Sequence, residues 1–382
     1  MSSVRPEHGG DRDPITVVMT GAGAPGASGI VRSLRGAPDR EVEVVGVDMD
    51  ANAYGFALVD DHDVVPPGDD PEFVEELAAV VDRVDADVVL PLVTAELQPL
   101  AENRDRIDAT VMVSEAERLA VANDKAALYG FLGDEGFASA PEFRLVESRE
   151  AFVDAVGALG YPDEPVCFKP PVGSGSRGFR VLDERGDDLQ RFLEEKPDVA
   201  TTTLDDVLPV LDSGDSFPAL AVMEYLPGEE YSVDVLATDD GAHAVVPRSR
   251  SRTRAGISFE GTIERREDLI EEAAAICEGL GLEYNVNLQF KYAADGTPKV
   301  IEINPRVSGT IVLCVGAGAN LPYLAVTHAL DEPLPEVDVA WGTSMVRYWD
   351  EVFTSPDGDR YHVDPPAFRR TNGEVFDETP SR

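Results

Sequence analysis

The chain has 382 residues, 43% of them hydrophobic, and 32 basic against 73 acidic side chains give a formal net charge of −41. So acidic a surface disfavours binding to nucleic acids and to anionic membranes. The hydrophobic fraction is sufficient for folded cores, and the length predicts two or three domains. No apolar run reaches the ~18 residues of a membrane span, and residues 1–14 lack a secretion signal, so we expect a cytoplasmic protein.

The basic residues are unevenly chosen, because only five of the 32 are lysine and the rest are arginine. Acidic excess spread along the whole chain, with lysine nearly absent, is typical of proteins that work in molar salt, where charge is screened within ~3 Å. We therefore expect a halophilic source. The alternative is an acidic surface for a basic partner, which would predict a concentrated acidic block that the chain lacks.

The first part of the chain alternates strands and helices. The predicted elements are strands at Ile15–Met19, Val42–Val47, Val88–Leu92 and Val111–Val113, with helices ending at Arg35 and covering Glu72–Val84. This alternation predicts an α/β domain with a doubly wound parallel sheet over residues 15–118, after a flexible segment, 1–14.

Beyond residue 118 the pattern changes to α+β. A helix is expected over 120–133, followed by longer strands and glycine-containing loops that continue to about residue 330. The two strands Asn285–Tyr292 and Pro298–Ile303 flank the turn Asp295-Gly296. We predict one mixed domain over 119–330 and a C-terminal extension, 331–382, with an added strand over 346–353.

A glycine-rich turn follows the first strand. Gly21 to Gly26 fit the pattern G-x-G-x-x-G, and Asp48 ends the next strand at the distance of a ribose-binding carboxylate. Backbone amides of such a turn can hold a pyrophosphate at a helix N-terminus. The same glycines also serve to let a strand turn sharply into its helix, and this segment leaves both interpretations open.

Two further segments have features of a nucleotide site. Lys169 ends a strand and precedes a loop rich in glycine and serine that includes Gly173, Ser174, Gly175 and Ser176. A lysine there can meet phosphate oxygens while backbone amides close over them, although such loops are often plain linkers. The segment from Glu224 to Glu230 could bond an adenine edge and a ribose diol, or be an ordinary acidic turn.

The most specific cluster lies on two adjacent strands. Gln289 is on the first, and Glu302, Asn304 and Arg306 follow on and after the second. Strand alternation puts Glu302 and Asn304 on one face, opposite apolar neighbours. Their oxygens, with that of Gln289, would suit Mg²⁺, and Arg306 could neutralise a transferring phosphoryl group. A polar sheet face is the alternative.

Arginine occupies every second position from Arg248 to Arg254. On a single strand all four side chains would share one face and could bind an anionic substrate, or they could pair with surface carboxylates. A functional role is favoured for Arg252 and Arg254 because Gly256 follows in a loop. Thr94 and Glu96 follow the third strand, where a doubly wound sheet binds ligands, and are weaker candidates for substrate contact.

The order of these parts, beginning with Asn123-Asp124-Lys125 at a helix start, resembles the ATP-grasp superfamily, and most of all a single half of the carbamoyl-phosphate synthase large subunit. The resemblance implies a Rossmann-like domain that precedes an ATP-grasp fold of two α+β subdomains. It also implies that Lys125 and Lys169 contact ATP phosphates, that Glu224 and Leu226 face adenine, and that Glu230 faces the ribose.

By the same resemblance, Gln289, Glu302 and Asn304 hold Mg²⁺, with Mn²⁺ as an alternative, and Arg306 contacts the phosphate. The implied activity is a ligase that joins a small carboxylate to an amine through an acyl phosphate. Two alternatives stay open: an oxidoreductase or epimerase using the glycine-rich turn with a nicotinamide cofactor, and an ATP-binding regulator without catalysis. A homodimer is a further open possibility, with no nucleic-acid or membrane partner.

Overall fold

The structure is a computed structural model that describes residues 12–170, 178–185, 201–254, 256–348, 350–356 and 360–361. It has a mixed α/β architecture with a parallel N-terminal sheet, as the sequence predicts. Among these residues no helix is long and apolar enough to cross a membrane.

The N-terminal domain contains a five-stranded parallel sheet in the order β3-β2-β1-β4-β5. Its strands are β1 (Ile15–Met19), β2 (Val42–Asp48), β3 (Asp61–Val64), β4 (Val88–Leu90) and β5 (Thr110–Val111). Its helices are α1 (Ala27–Arg35), α2 (Phe73–Val84), α3 (Thr94–Glu102) and α4 (Ala116–Asn123). Apolar side chains cover both faces of this sheet, so its inner strands are mostly hydrophobic. The sequence missed β3, because Asp-His-Asp-Val is polar at an edge, and the short helix α3, which contains Pro99.

The predicted helix over 120–133 was wrong as a single element. Asp124 adopts an extended conformation between α4 and α5 (Lys125–Asp134), and its side chain accepts hydrogen bonds from the amides of Ala126 and Ala127. This capping starts a second helix and turns the chain between the two domains.

The next part of the chain forms a five-stranded sheet of order β6-β10-β7-β8-β9. The strands are β6 (Phe143–Val146), β7 (Val166–Lys169), β8 (Arg180–Leu182), β9 (Thr201–Thr202) and β10 (Leu220–Glu224). Two helices, α6 (Arg149–Ala158) and α7 (Leu204–Leu211), pack on its apolar face.

A four-stranded antiparallel sheet of order β12-β11-β15-β16 forms the second half of the fold. The strands are β11 (Glu230–Thr238), β12 (Gly241–Ser249), β15 (Tyr284–Tyr292) and β16 (Pro298–Asn304). Helix α8 (Glu267–Leu280) packs on one face of this sheet. Helices α9 (Val312–Gly316) and α10 (Leu321–Ala329) share a core with α1, which fixes the N-terminal domain against this half.

The remaining strands are short. A three-stranded sheet joins β13 (Arg252–Arg254), β14 (Ile257–Thr262) and β17 (Ser344–Val346), and β18 (Phe353–Thr354) pairs with β19 (Arg360–Tyr361). The single strand predicted over 346–353 was wrong, because pairing with β14 ends at Val346. The next residue, Arg347, directs its guanidinium to the Gly309 carbonyl. The domain boundaries predicted above stay a prediction.

Candidate functional site

One face of the four-stranded sheet is apolar, and part of the opposite face is polar. On the apolar face Val233, Leu288 and Ile303 pack toward α8, which forces their sequence neighbours to the other side. The polar face thereby collects side chains from all four strands: Glu230, Ser232 and Asp234 on β11; Arg248 on β12; Asn287 and Gln289 on β15; Glu302 and Asn304 on β16.

Glu302 is the centre of the predicted metal cluster. Its Oε1 accepts hydrogen bonds from Gln289 Nε2 at 2.9 Å and from Asn304 Nδ2 at 3.1 Å, and its Oε2 lies 3.6 Å from Lys125 Nζ. The structure thus brings together three predicted metal ligands and one predicted phosphate ligand. Asp124, by starting α5 at Lys125, is what positions this lysine.

The donor set at Glu302 fits a hard divalent cation. Rotation of each amide about its terminal torsion would turn the oxygens of Gln289 and Asn304 toward the carboxylate, giving an all-oxygen set of the kind Mg²⁺ prefers. With a single carboxylate, such a site would depend on phosphate oxygens and water for its remaining positions. The described part of the chain holds no cluster of three or more His, Cys, Asp or Glu side chains arranged for a metal, so the amides matter here.

Lys169 ends β7 close to Lys125. Burial and the nearby charge of Lys125 lower the pKa of Lys169 to about 8. Two close, partly desolvated ammonium groups repel each other, and a polyanion between them would remove that cost. Gly173, Ser174, Gly175 and Ser176, predicted to close over the phosphates, lie outside the described residues.

The predicted adenine and ribose residues lie between the two sheets. Glu224 ends β10, and its Oε1 accepts a hydrogen bond from the Glu142 amide at 2.9 Å, which fixes its side chain. Leu226 is buried and provides an apolar surface. Glu230 begins β11, and its Oε1 lies 2.6 Å from Arg250 Nε. The sequence did not single out this ion pair, because its partners are 20 positions apart and meet only through the β11–β12 register.

The four alternating arginines do not share one strand, so that prediction was wrong. β12 ends at Ser249, and the chain turns before β13 resumes at Arg252. Arg248 is buried with Asp234, whereas Arg252 is exposed and lies 2.8 Å from Glu260. Arg254 is also exposed. Of the four alternating arginines, Arg252 and Arg254 are therefore the two that are exposed to solvent and accessible to a ligand.

Arg248 belongs to a buried polar network that the sequence did not predict. Its Nε donates to Asp234 Oδ2 at 2.7 Å and its Nη2 donates to Ser308 Oγ at 3.1 Å. Asn287 Nδ2 donates to the other oxygen of Asp234 at 2.8 Å. Since Ser308 lies two residues after Arg306, this network anchors the loop that positions Arg306.

Arg306 connects the two domains. Its Nε donates to Thr94 Oγ1 at 3.0 Å, and its Nη2 donates to Asn304 Oδ1 at 3.3 Å. Burial lowers the pKa of Arg306, and the charges of Glu302 and Glu96 oppose that effect. Thr94 and Glu96, which are weaker candidates for substrate contact by sequence alone, therefore lie beside Arg306.

The glycine-rich turn packs against protein backbone. Gly26 has φ +103°, and a Cβ there would lie 2.3 Å from the Gly309 carbonyl oxygen. Asp48 accepts hydrogen bonds from the amides of Gly23 at 2.7 Å and Asp50 at 2.9 Å. The loop after Arg306 thus occupies the space in front of α1, and Asp48 closes its own turn. This geometry favours the structural interpretation of the glycines over dinucleotide binding.

Two family models match the chain. Residues 18–114 match the PylC-like N-terminal domain, and residues 216–350 match a family described as ATP-grasp in the biosynthetic pathway with Ter operon. The second match includes the Glu224–Glu230 segment and the predicted metal ligands Gln289, Glu302 and Asn304, but not Lys125.

Curated relatives and solved structures agree with these matches. The chain is 27% identical over 329 residues to the phosphoribosylamine–glycine ligase of Methanopyrus kandleri, covering 76% of this chain and 66% of that one. It is 26% identical over 251 residues to the carbamoyl phosphate synthase large chain of Deinococcus deserti, covering 61% of this chain but 22% of the relative.

The structure resembles that of N5-carboxyaminoimidazole synthetase from Staphylococcus aureus complexed with ADP. The TM-score is 0.63 at 14% identity, over 85% of this chain and 80% of that one. The predicted fold is confirmed: a Rossmann-like domain precedes an ATP-grasp fold. In these matched segments, in the order of its elements and in its fold, the chain is similar to ATP-grasp proteins.

Proposed function

We propose that this protein is an ATP- and Mg²⁺-dependent ligase that activates a small carboxylate as an acyl phosphate and joins it to an amine. One observation supports the proposal above the others. Lys125, Lys169 and Arg306, from three different elements, converge on Glu302 with its two amide partners. Phosphoryl transfer requires mainly positioning and charge stabilisation, and this cluster supplies both.

The two lysines are the phosphate-binding groups. Lys169 extends from the end of β7 and Lys125 from the start of α5, and both lie near the carboxylate of Glu302. A triphosphate there would keep Lys169 protonated, because the negative charge offsets the effects of burial and of Lys125. Gly173 to Ser176 are proposed to cover the nucleotide and exclude water, which would otherwise hydrolyse an acyl phosphate.

Gln289, Glu302 and Asn304 are the proposed ligands of Mg²⁺, with Mn²⁺ as an alternative. The ion supplies charge neutralisation between the phosphate groups. The carboxylate of Glu302 is held by the two amides and Lys125, which keeps all four side chains in place.

Arg306 is the proposed ligand of the reacting carboxylate and of the acyl phosphate. Its guanidinium is planar and always charged, and Thr94 and Asn304 orient it. Charge that develops on the carbonyl oxygen during amine attack would be stabilised by the same group. Arg252 and Arg254 are proposed to attract the anionic substrate at the entrance to the site.

The two other function classes are less well supported. A nicotinamide-dependent enzyme would need the glycine-rich turn, whose approach is filled by Gly309. A regulator without catalysis would not need Glu302, Asn304 and Arg306 arranged as they are. Small-molecule substrates, a cytoplasmic location and a homodimer remain parts of the proposal.

The test is release of ADP and phosphate in molar KCl with Mg-ATP. Pools of amino acids, small carboxylates and polyamines are added separately and in pairs. We expect one combination to stimulate release, and Lys169→Ala and Glu302→Ala to abolish that stimulation.

Glu271→Gln is the matched control, because Glu271 is an exposed acid on α8 outside the cluster. Stimulation that survives in Lys169→Ala and Glu302→Ala would place catalysis elsewhere. ATP binding without any stimulated release would favour the regulator, and NADH binding without ATP binding would favour the oxidoreductase.

A further inference from the structure

A second polar cluster lies at the junction of the two domains, next to Arg306. Thr20 directly follows β1, and Thr94 and Glu96 lie in the first turn of α3, after β4. The carboxyl ends of β1 and β4 are adjacent because the two strands pair in parallel. Ligands of doubly wound sheets bind at this edge, and here the edge faces the loop that carries Arg306.

Glu96 is held in one position within this cluster. The Thr20 hydroxyl accepts a hydrogen bond from the Leu92 amide at 3.3 Å and donates one to Glu96 Oε2. Gly68 closes over the side chain, since a Cβ at Gly68 would lie 2.7 Å from Glu96 Cγ. Only 7% of Glu96 is exposed. Burying a carboxyl group in this way costs free energy of folding. Its burial at this position therefore points to a function that an exposed carboxyl group could not perform.

The charged neighbours of Glu96 come from two elements. Arg306 approaches from the loop after β16, and Asp48 from the end of β2. The carboxylate of Asp48 is satisfied by the amides of Gly23 and Asp50. Thr20 is the one side chain among the described residues that donates a hydrogen bond to Glu96. Burial, which outweighs the Thr20 hydrogen bond, raises the pKa of Glu96 to about 7.

We infer that Glu96 is the proton acceptor for the attacking amine, in a subsite for an ammonium-bearing substrate between Thr20, Thr94 and Arg306. This inference rests on the proposed ligase function and identifies its second substrate as a primary amine that arrives protonated. The anionic face of Glu96 would attract the ammonium group, while Arg306 holds the acyl phosphate on the other side.

Glu96 takes one proton from the ammonium group, which frees the nitrogen lone pair. Nitrogen then forms a bond to the carbonyl carbon, the bond from that carbon to the phosphate oxygen breaks, and phosphate leaves with the electron pair. The second nitrogen proton goes to the departing phosphate, which gives the amide and hydrogen phosphate.

The experiment separates amine deprotonation from carboxylate activation. The full-length wild type and the Glu96→Gln variant are given Mg-ATP in molar KCl with the pools that stimulate the wild type. Excess hydroxylamine is added in one arm, and hydroxamate and amide are quantified from pH 5 to 9. Hydroxylamine is mostly unprotonated near neutral pH, so it captures an acyl phosphate without help from a base.

We expect Glu96→Gln to lower amide formation by roughly 10²- to 10⁴-fold, as for loss of a general base, and to leave hydroxamate formation within about twofold of wild type. Amide formation by the wild type should begin to fall at a higher pH than hydroxamate formation, which falls only where hydroxylamine itself becomes protonated. Thr20→Val should move that acid limb upward by about one pH unit, because the lost hydrogen bond stabilised the ionised carboxylate.

Glu102→Gln, an exposed acid at the end of the same helix, is the control and should match the wild type in both arms. Equal loss of hydroxamate and amide in Glu96→Gln would overturn the inference and leave the ligase function standing. Unchanged amide formation would overturn it too. A wild type that forms neither product from any pool would overturn the ligase function itself, and the inference with it.

Discussion

Arg306 and Thr94 are 212 positions apart in the sequence, and Arg306 Nε donates to Thr94 Oγ1 at 3.0 Å. This contact joins the loop after β16 to the first turn of α3. The proposed reacting centre therefore lies between two domains rather than within one, and its geometry depends on how they pack.

The first prediction concerns this contact. Thr94→Val removes the acceptor from Arg306 while keeping the side-chain volume. A hydrogen bond to a charged group contributes about 1.5–3 kcal/mol, so we expect kcat to fall by about 10- to 100-fold. KM for ATP should stay within about twofold, since Thr94 contacts Arg306 and neither of the two lysines. Steady-state kinetics would measure both, with Thr110→Val as the control; an equal change in the two variants would contradict the assignment.

The second prediction concerns the metal cluster. Glu302→Gln keeps the shape of the side chain and removes its charge, which weakens attraction of a divalent cation. We expect the Mg²⁺ concentration for half-maximal activity to rise at least about tenfold, with partial recovery of rate at high Mg²⁺. Titration of activity with MgCl₂ at fixed KCl checks this. If no Mg²⁺ concentration restored the rate, Glu302 would instead be assigned the role of positioning Lys125 at the phosphates.

The third prediction concerns the buried pair Asp234–Arg248, whose side chains are both 1% exposed. Removing one partner leaves an uncompensated buried charge, so we expect Arg248→Met to lower the free energy of unfolding by about 3–5 kcal/mol. The double variant Asp234→Asn with Arg248→Met should recover part of this loss. Urea unfolding in molar KCl would measure the free energy of unfolding of the wild type, the single variants and the double variant. A loss below about 1 kcal/mol in Arg248→Met would show that the network is dispensable.

The fourth prediction compares two glycines. Gly26→Ala places a Cβ at φ +103° and 2.3 Å from the Gly309 carbonyl oxygen, so at least about 2 kcal/mol of stability should be lost. Gly157, on α6, has no atom within 4 Å of a built Cβ, so Gly157→Ala should stabilise by about 0.5–1 kcal/mol. Thermal unfolding of both variants tests the packing role; a neutral Gly26→Ala would reopen the ligand-binding interpretation of this turn.

The fifth prediction follows from the pKa of Glu96, raised from 4.5 to about 7 in the folded chain. Between these values the folded state binds more protons than the unfolded state, so this group's stabilising contribution is lost as pH rises toward 7. At pH 8 we therefore expect the free energy of unfolding of Glu96→Gln, measured with urea, to exceed that of the wild type by on the order of 3 kcal/mol. The difference should shrink toward pH 5. A difference that does not vary with pH would mean that Glu96 ionises normally.

Much of the fold could be predicted from residue patterns. Ile15–Met19 was predicted with the bounds that the structure shows, and Lys169 was predicted to end a strand, as it does, because buried strands are unbroken apolar runs between turns. The same patterns failed where a local signal competed. Asp124 is compatible with a helix by composition, yet its side chain caps the next one, and Val346 ends a strand because its partner strand ends there.

The candidate site was predictable where its residues lie close together in sequence. Glu302, Asn304 and Arg306 alternate along one strand and its exit, so their common face follows from the geometry of a strand. Gln289 was found because the intervening hairpin is short. The assignment of these residues to metal and phosphate stays a prediction, as does the halophilic source.

The two-part α/β architecture, the acidic surface and the local motifs could be predicted, since each depends on periodicity or composition within a few turns of chain. The pairs Arg306–Thr94, Arg250–Glu230 and Arg248–Asp234 and the burial of Glu96 became visible in the folded chain alone. These depend on strand register and on the packing of one domain against another. No local sequence pattern predicts contacts between residues so far apart in the chain. These contacts bring charged, hydrogen-bonded and buried side chains together at one place.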